Sequence, residues 1–322
     1  MKKKLTHLMS VVLMTILVLQ NGLAQKTFPQ NGVYDERDGI FAFTNATIFK
    51  SWNEKLEGAT LLIRDGRVEA IGKDIAIPKD AVVFDLKNKF IYPSFIEPFG
   101  NYGMPEAVRG EGGAGGFGRQ MQQLLSNKKG AFSWNEALRT EFKAHEIFAF
   151  NEKDAEILRG SGYGAVMSHK MDGLSRGTGA VVTTAADREH NSIIKPMAAH
   201  IMSFSKGTST QNYPGSLMGA ISLFRQTYLD GQWYAKEGAK EEKNFSLEAW
   251  NNVQSLPQIF EVSDKLEALR AAKLGAEFGK KYIIKGRGDE YQRLDAMKAL
   301  NTTFIYRSIF PKLLMWKTLM MP

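Results

Sequence analysis

The sequence predicts an α/β protein in which a small β module precedes a larger domain of alternating helices and strands. Three observations predict this class. Short runs rich in β-branched and aromatic residues, separated by Asn, Asp, Gly or Pro, fill residues 40–95. Helical periods alternate with short apolar runs after residue 137. The 322 residues are 43% hydrophobic and 24% charged, which excludes disorder throughout the chain.

The N-terminal residues have the pattern of a secretory signal peptide over residues 1–24. Three lysines at positions 2–4 precede the apolar run LMSVVLMTILVL, and GLA (22–24) offers a small-residue cleavage site before Gln25. The run is shorter than the roughly 20 residues of a membrane span. Export to the periplasm or the exterior is therefore expected rather than an uncleaved anchor, and the mature chain is expected to have no stable membrane span.

Charge and cysteine content limit the classes of partner. Signal cleavage lowers the formal charge from +8 to about +5. The remaining cations are scattered and form no dense basic stripe, so no nucleic-acid partner is expected. Without cysteine there is no disulfide framework, no thiolate metal site and no lipid-modified cysteine.

Three apolar runs predict the strands of the small β module. They are IFAFTNATIF (40–49), ATLLIRDGRVEAIG (59–72) and AVVFDLKNKFIYPSF (81–95). Within the second run, Asp65 and Gly66 form a two-residue turn signal, with Leu62 to Ile71 as the arms of a hairpin.

Two short motifs predict structure rather than binding. GEGGAGGFG (110–118) matches G-x-G-x-x-G twice, but MPEAVR precedes it instead of a strand, so a loop is predicted rather than a nucleotide site. The RGD of Arg287–Asp289 begins a predicted helix in which Asp289 is the N-cap, rather than an adhesion peptide.

The remainder of the chain alternates between predicted helices and strands. The predicted helices are Ala137–Phe148, Asp154–Leu158, a segment with Met218, Ile221, Phe224 and Tyr228 on one face, 263–279 between Ser263 as cap and Gly279, and 289–300. The predicted strands are 164–169, 177–184, 281–286 and 302–307. This alternation implies parallel strands joined by crossover helices, hence an α/β sheet or barrel.

The C-terminal residues 308–322 show no clean helical or strand period. Only four or five strands are predicted between residue 90 and the terminus, whereas a complete barrel needs eight βα units. The chain is therefore expected to stop within the fold, with residues 308–322 as an atypical tail.

The segment from FTNATIF (43–49) to YPSFIEPFGN (92–101) resembles the N-terminal module of the metal-dependent amidohydrolase superfamily, which includes imidazolonepropionase and dihydroorotase. The family's hairpin, its P-x-x-A-x-V-I-D strand and its P-G-x-I-D-x-H-x-H strand correspond to IRDGRVEAIG, IPKDAVVFDL and YPSFIEPFGN. The resemblance implies an incomplete TIM-like (β/α) barrel over residues 91–307, preceded by a small β-sandwich module over residues 25–90. It also implies hydrolysis of non-peptide C–N bonds in amides or cyclic amides, using Zn²⁺ or another divalent metal.

The family's site residues are changed in this chain. Ser94 stands in the place of the family glycine, Glu97 in that of the aspartate, and Phe99 and Asn101 in those of the two histidines. Lys285 stands in the place of a third ligand. Phenylalanine cannot coordinate a metal, asparagine is a poor zinc ligand, and an ammonium group repels the ion. No recognisable metal ligand remains, no cofactor is expected in this chain, and the catalytic residues are unassigned; the later ligands would lie beyond residue 322.

The histidines offer one alternative metal site. His169 follows a predicted strand at the end where barrels build their sites, and it could combine with His200 and Glu97. Asp172 and Arg176 beside it are equally consistent with a solvated loop. The other histidines lie in the signal peptide or in separate segments: His7, His145 and His190.

Two functional interpretations follow. One is an exported amidohydrolase-family protein, diverged or truncated and not catalytic alone, which would take a small amide-type substrate if active. The other is a non-catalytic pseudoenzyme module that binds a ligand or packs on a catalytic partner half or a second copy. The missing H-x-H pair favours the second interpretation for this chain.

Overall fold

The computed structural model describes residues 39–107, 126 and 128–306. The chain divides into two compact units, the first ending at Pro93 and the second beginning at Ser94. The predicted signal peptide, the glycine-rich segment 110–118 and the tail 308–322 lie outside the described residues.

The first unit contains a five-stranded sheet. Its strands are β1 (Ile40–Ser51), β2 (Glu54–Arg64), β3 (Arg67–Gly72), β4 (Val82–Asp85) and β5 (Phe90–Ile91). The order is β3-β2-β1-β4, and β5 also pairs with β1. The pairs β1–β2 and β2–β3 are antiparallel, whereas β4 and β5 run parallel to β1.

The predicted hairpin is confirmed. Asp65 and Gly66 have φ angles of 49° and 70°, as a tight two-residue turn requires, and Leu62 lies opposite Ala70. Ala46 and Ile48 from β1 pack with other apolar side chains of the sheet. Because the described residues of this unit form one sheet, the β-sandwich stays a prediction.

The second unit contains a seven-stranded sheet whose strands lie side by side in sequence order. The strands are β6 (Phe95–Gly100), β7 (Tyr163–Ser168), β8 (Ser175–Thr183), β9 (Ile193–Ser203), β10 (Gln258–Glu261), β11 (Ile283–Lys285) and β12 (Phe304–Ile305). β6 and β7 are parallel, and β9 to β12 are parallel. β8 is antiparallel to both of its neighbours.

The expectation of parallel strands is therefore wrong for β8. Only residues 169–174 separate β7 from β8. A parallel connection needs a crossover of a dozen or more residues, so this short segment permits only an antiparallel return.

One apolar cluster receives side chains from every strand of the seven-stranded sheet, so the sheet curls around it in a barrel-like form. Its members include Phe99, Met167, Val181, Ala199, Ile201, Ile259, Ile283 and Ile305. Alternate residues such as Phe260 and Ile284 point to the other face, as strand geometry requires. β6 and β12 are the edges of this sheet among the described strands, and a complete TIM barrel is not established.

Helices cover the outer face of this sheet. They are α1 (Ala144–Ile147), α2 (Glu152–Gly160), α3 (Glu189–Ser192), α4 (Leu217–Trp233) with a π-helical turn (Tyr234–Gly238), α5 (Ala239–Glu241), α6 (Phe245–Asn252), α7 (Lys265–Glu277), a 3₁₀ turn (Glu290–Arg293) and α8 (Leu294–Ala299). Phe224 of α4, Trp250 of α6 and Leu274 of α7 share one buried cluster with Phe260. Among the described helices, none has the length and apolar character needed to cross a bilayer.

The helix predicted over Ala137–Phe148 is mostly wrong, because only Ala144–Ile147 is helical. Leu138 forms a bridge with Ser175 and Lys143 one with Thr178. The segment thus runs beside β8 and bonds to its backbone, so tertiary pairing overrides its local helical pattern.

Two details of the predicted long helices are also corrected. The N-cap of α7 is Asp264 rather than Ser263, since its Oδ1 accepts the backbone N–H groups of Leu266 and Glu267 at 2.7 and 2.8 Å. In α4, Ile221, Phe224 and Tyr228 are buried as predicted, but Met218 is 65% exposed.

Candidate functional site

Phe99 occupies the first of the two expected histidine positions and points into the barrel-like interior from β6. Its side chain is 7% exposed and belongs to the cluster that includes Met167 and Ile259. The centroid of its ring lies 4.3 Å from that of His169. An apolar ring therefore fills the place where the resemblance puts a metal ligand.

His169 lies directly after β7 and is fully buried. Its backbone N–H donates to Gly100 O at 3.0 Å, whereas neither ring nitrogen has a hydrogen-bond partner among the described residues. Burial, together with the nearby cations of Arg176 and Lys285, lowers the pKa of His169 to about 3. The imidazole is thus neutral at neutral pH.

Lys285 ends β11 and faces Phe99. Its Nζ atom lies 5.2 Å from the centroid of the Phe99 ring, close enough for a cation–π contact. The same ammonium donates to Gly286 O at 3.1 Å and lies 4.0 Å from Glu261 Oε1. The position expected for a third metal ligand therefore carries a lysine whose side chain is only 15% exposed.

Arg176 brings a second cation close to Lys285, at the C-terminal ends of β9 and β10. It lies there because β8 runs antiparallel and begins where those two strands end. Its Nη1 lies 2.8 Å from Glu261 Oε2, and the Arg176 side chain is only 6% exposed. Nη2 donates to Ser203 Oγ at 3.0 Å and Nε to Gly173 O at 3.3 Å. Glu261 thus bridges Arg176 and Lys285, which offsets the cost of burying two cations.

A cavity of about 300 Å³ opens beside this cluster. Ser203, Glu261 and Lys285, the last residues of β9, β10 and β11, border it. The complete lining consists of Arg176, Ser203, Phe204, Ser205, Glu261, Val262, Ser263, Lys285 and Arg287. Three cations and one carboxylate give this lining two net positive charges.

Glu97 and Asn101 border a separate, larger groove of about 1000 Å³, together with Tyr102 and Phe150. Glu97 Oε1 accepts the backbone N–H of Phe99 at 3.1 Å. The pairing of β6 with β7 shifts register between Glu97 and Gly100, and Asn101 lies beyond the end of the strand. Phe99 and Asn101, at the two expected histidine positions, therefore do not lie as alternate residues on one face of a strand, the arrangement in which two histidines would bind one metal ion.

The alternative metal site from His169, His200 and Glu97 does not assemble. His200 lies with its ring 5.4 Å from that of Trp250 on α6, and its Nε2 is 2.9 Å from Ser175 Oγ. It faces the helical layer, whereas His169 packs against Phe99 in the interior. Within the described residues, no group of three or more His, Cys, Asp or Glu side chains could hold a metal ion.

Asp172 belongs to a buried ion pair, so the solvated-loop interpretation is wrong. Its carboxylate pairs with Arg139 and accepts the Thr208 backbone N–H and hydroxyl, each at 2.8 Å. The side chain of Asp172 is only 1% exposed. Asp172 thus links the segment after β7 to the segment after β9 by hydrogen bonds, and it is not part of the lining of the 300 Å³ cavity.

The other predicted residues have structural positions. His145 Nδ1 lies 3.0 Å from Pro196 O, and His190 is exposed on α3. Ser94 is exposed and borders Gly164, where a Cβ would lie 2.4 Å from Ser94 Oγ. Asp289 precedes the 3₁₀ turn without a side-chain capping bond, and its Oδ2 lies 3.3 Å from Lys265 Nζ.

Glu261 is the site residue that the sequence analysis missed. The sequence does contain a signal, because Glu261 follows the apolar pair Ile259 and Phe260 and directly precedes a strong helix pattern. Charged residues at the C-terminal ends of parallel strands are the ones that barrel sites use.

Of the comparisons with known proteins, only the one with solved structures gave matches. No family model matches the sequence, and no curated protein is significantly similar to it. An amidohydrolase from Thermotoga maritima MSB8 superposes with a TM-score of 0.64 and 22% identity, over 85% of this chain and 72% of that chain.

Two other solved structures give lower scores. A prolidase complexed with N-methylphosphonate-L-proline and a further amidohydrolase both have a TM-score of 0.37, at 11% and 14% identity. Each superposition covers 82% of this chain and 65% of the other. These scores do not establish a common fold, whereas the first one does. The chain therefore has the fold of the Thermotoga amidohydrolase.

Proposed function

We propose that this chain is an exported amidohydrolase-type module that does not hydrolyse C–N bonds on its own. In this proposal an interior ion-pair cluster takes the place of the metal centre, and the module binds a ligand or packs on a catalytic partner. The observation that carries the proposal is the pairing of Lys285 with Phe99, at two positions where the resemblance expects metal ligands.

The charges around this pair support the proposal. Arg176 and Lys285 are both largely buried, and Glu261 lies between them. A divalent cation placed among them would be repelled by both cationic groups, since unit charges a few ångströms apart interact by about 4 kcal/mol at an intermediate dielectric. The residues present therefore do not fit a zinc ion.

The second candidate is the family activity, hydrolysis of an amide or cyclic amide. Two observations favour it: the Thermotoga amidohydrolase fold and the groove of about 1000 Å³ beside Phe99. For this candidate, the metal ligands would have to come from a partner half, from a second copy or from residues outside the described ranges.

Turnover measurements separate the two candidates. The purified mature chain, supplied with zinc, is expected to hydrolyse neither dihydropyrimidine-type cyclic amides nor N-acyl amino acids above the uncatalysed rate. Turnover that disappears with a chelator and returns with zinc would refute the non-catalytic proposal. The variant Phe99→Leu is a matched control. Turnover from a contaminating hydrolase would be the same in preparations of the variant and of the unmodified chain.

A further inference from the structure

We infer that the cavity at the ends of β9, β10 and β11 binds a small oxyanion, a carboxylate or phosphate group carried by a small molecule. The inference rests on the proposed function and deepens it by naming a class of ligand for the cavity beside the ion-pair cluster. The cavity of about 300 Å³ is at the small end of the range for small-molecule sites, roughly 300–1,000 Å³. Its two net positive charges favour an anion.

Arg176 supplies the first reason for an anion. Its Nη1 lies 2.8 Å from Glu261 Oε2, while Nε and Nη2 donate to Gly173 O and Ser203 Oγ, so the guanidinium is held in one place. Because Arg176 borders the cavity, its positive charge attracts an oxyanion there.

Arg287 supplies the second reason, since its backbone is fixed where its side chain reaches the cavity. The backbone N–H groups of Arg287 and Gly288 donate to the Glu290 carboxylate at 2.8 and 2.9 Å. Glu290 is only 2% exposed, and a Cβ on Gly286 would lie 2.0 Å from its Oε1. These contacts fix the backbone of Arg287 and Gly288 against Glu290, beside the cavity.

The Arg287 guanidinium is exposed and has no ion-pair or hydrogen-bond partner among the described residues. A planar guanidinium binds carboxylate and phosphate oxygens in pairs. The lining also includes Ser263, whose side chain carries a hydroxyl, and the apolar residues Phe204 and Val262. The lining thus combines cationic, hydroxyl-bearing and apolar residues.

Calorimetric titration of the full chain tests this inference. The probes are inorganic phosphate and succinate, in low-salt buffer at pH 7 with a chelator, so that a bound metal cannot supply the heat. Saturable binding of at least one probe is expected, and Arg287→Gln should weaken it about tenfold, as loss of a charge-assisted hydrogen bond does. Arg270→Gln, the same change at an exposed position of α7 outside the lining, should leave the affinity unchanged.

Binding of phosphate alone or of succinate alone would each support the site and identify the headgroup. No saturable binding of either probe, or equal weakening by Arg287→Gln and Arg270→Gln, would overturn the inference. Both variants lie on the surface, and their melting temperatures without ligand report that they fold. Zinc content and amide turnover are measured separately, so a failure of the anion site is distinguishable from a failure of the proposed function.

Discussion

The ammonium of Lys285 lies 5.2 Å from the centre of the Phe99 ring, and the Phe99 ring lies 4.3 Å from that of His169. Lys285 and Phe99 come from opposite parts of the seven-stranded sheet, at the end of β11 and in β6. Their contact exists only because the sheet curls around its interior. A position that could gather metal ligands from several strands thus gathers a cation, an aromatic ring and a neutral imidazole.

Restoring ligands at these two positions should create a metal site. The double substitution Phe99→His and Lys285→His would place two imidazoles near His169 and near Glu261, whose Oε1 is 4.0 Å from Lys285 Nζ. Four nitrogen and oxygen donors suit zinc. Because Arg176 stays beside Glu261, we expect less than one zinc ion per chain in this variant but more than in a variant without added ligands, measured by mass spectrometry after gel filtration.

The matched control is Phe99→Leu with Lys285→Met, which removes the same ring and charge without adding ligands. If the histidine variant retains no more zinc than this control, the two positions do not lie where a metal could be held.

Breaking the interior ion pair should destabilise the chain. Glu261→Gln leaves the largely buried Arg176 without its carboxylate, and we expect the free energy of unfolding to fall by about 1–3 kcal/mol, since Glu261 is partly exposed. Glu248→Gln changes an exposed pair with Lys243, whose side chains are 44% and 54% exposed. This control should cost no more than about 0.5 kcal/mol. Urea denaturation of both variants checks the difference, and equal effects would contradict the role assigned to Glu261.

Stability should fall as the pH falls below about 6.5. Burial lowers the pKa of His200 from 6.5 to about 3, and its contacts, the Ser175 hydroxyl and the Trp250 ring, are neutral. Between these two pKa values the unfolded chain binds a proton that the folded chain excludes, so protonation favours unfolding. His169 contributes in the same direction, because its pKa is also lowered to about 3.

Urea denaturation between pH 7.5 and 5 measures this dependence. His200→Gln, which cannot be protonated, should reduce the slope by up to about 1.4 kcal/mol per pH unit. His190→Gln, at an exposed histidine on α3, should leave the slope unchanged. An unchanged slope in His200→Gln would show that His200 binds protons equally in the folded and unfolded chain, which would contradict its lowered pKa.

The predicted export of the chain can be tested separately. Expression of the full sequence in a bacterial host should yield a secreted or periplasmic chain that begins at Gln25, as measured by intact mass. Leu17→Arg interrupts the apolar run and should block processing, whereas Leu17→Ile should not. A chain that keeps Met1 and remains with the membrane would instead indicate an uncleaved anchor.

Local signals in the sequence predicted much of the fold. The Asp65-Gly66 turn, α2 and α7 rest on residues close in sequence, and the structure contains all of them. The helix predicted over Ala137–Phe148 failed because its backbone bonds to β8, which no local pattern reveals. The antiparallel direction of β8 follows from the six residues that separate it from β7, because a parallel connection needs a longer crossover.

The candidate site was only partly predictable for a similar reason. Phe99 and Lys285 were found because a family pattern marks their positions. Arg176 and Glu261 meet through the register of β8 against β9 and of β9 against β10, where Ser175 lies opposite Met202 and Glu261 opposite Ser203. A register of this kind is set by the packed sheet, so the convergence of these two residues became visible only in three dimensions.

The zinc content of the purified, unmodified chain tests the central claim most directly. After incubation with excess zinc and removal of loosely bound metal, inductively coupled plasma mass spectrometry should find well below one zinc ion per chain, because Phe99, Lys285 and Arg176 occupy the interior edge. Stoichiometric zinc that survives gel filtration, and that Phe99→Leu with Lys285→Met does not reduce, would show that the chain builds a metal centre elsewhere and would contradict the account.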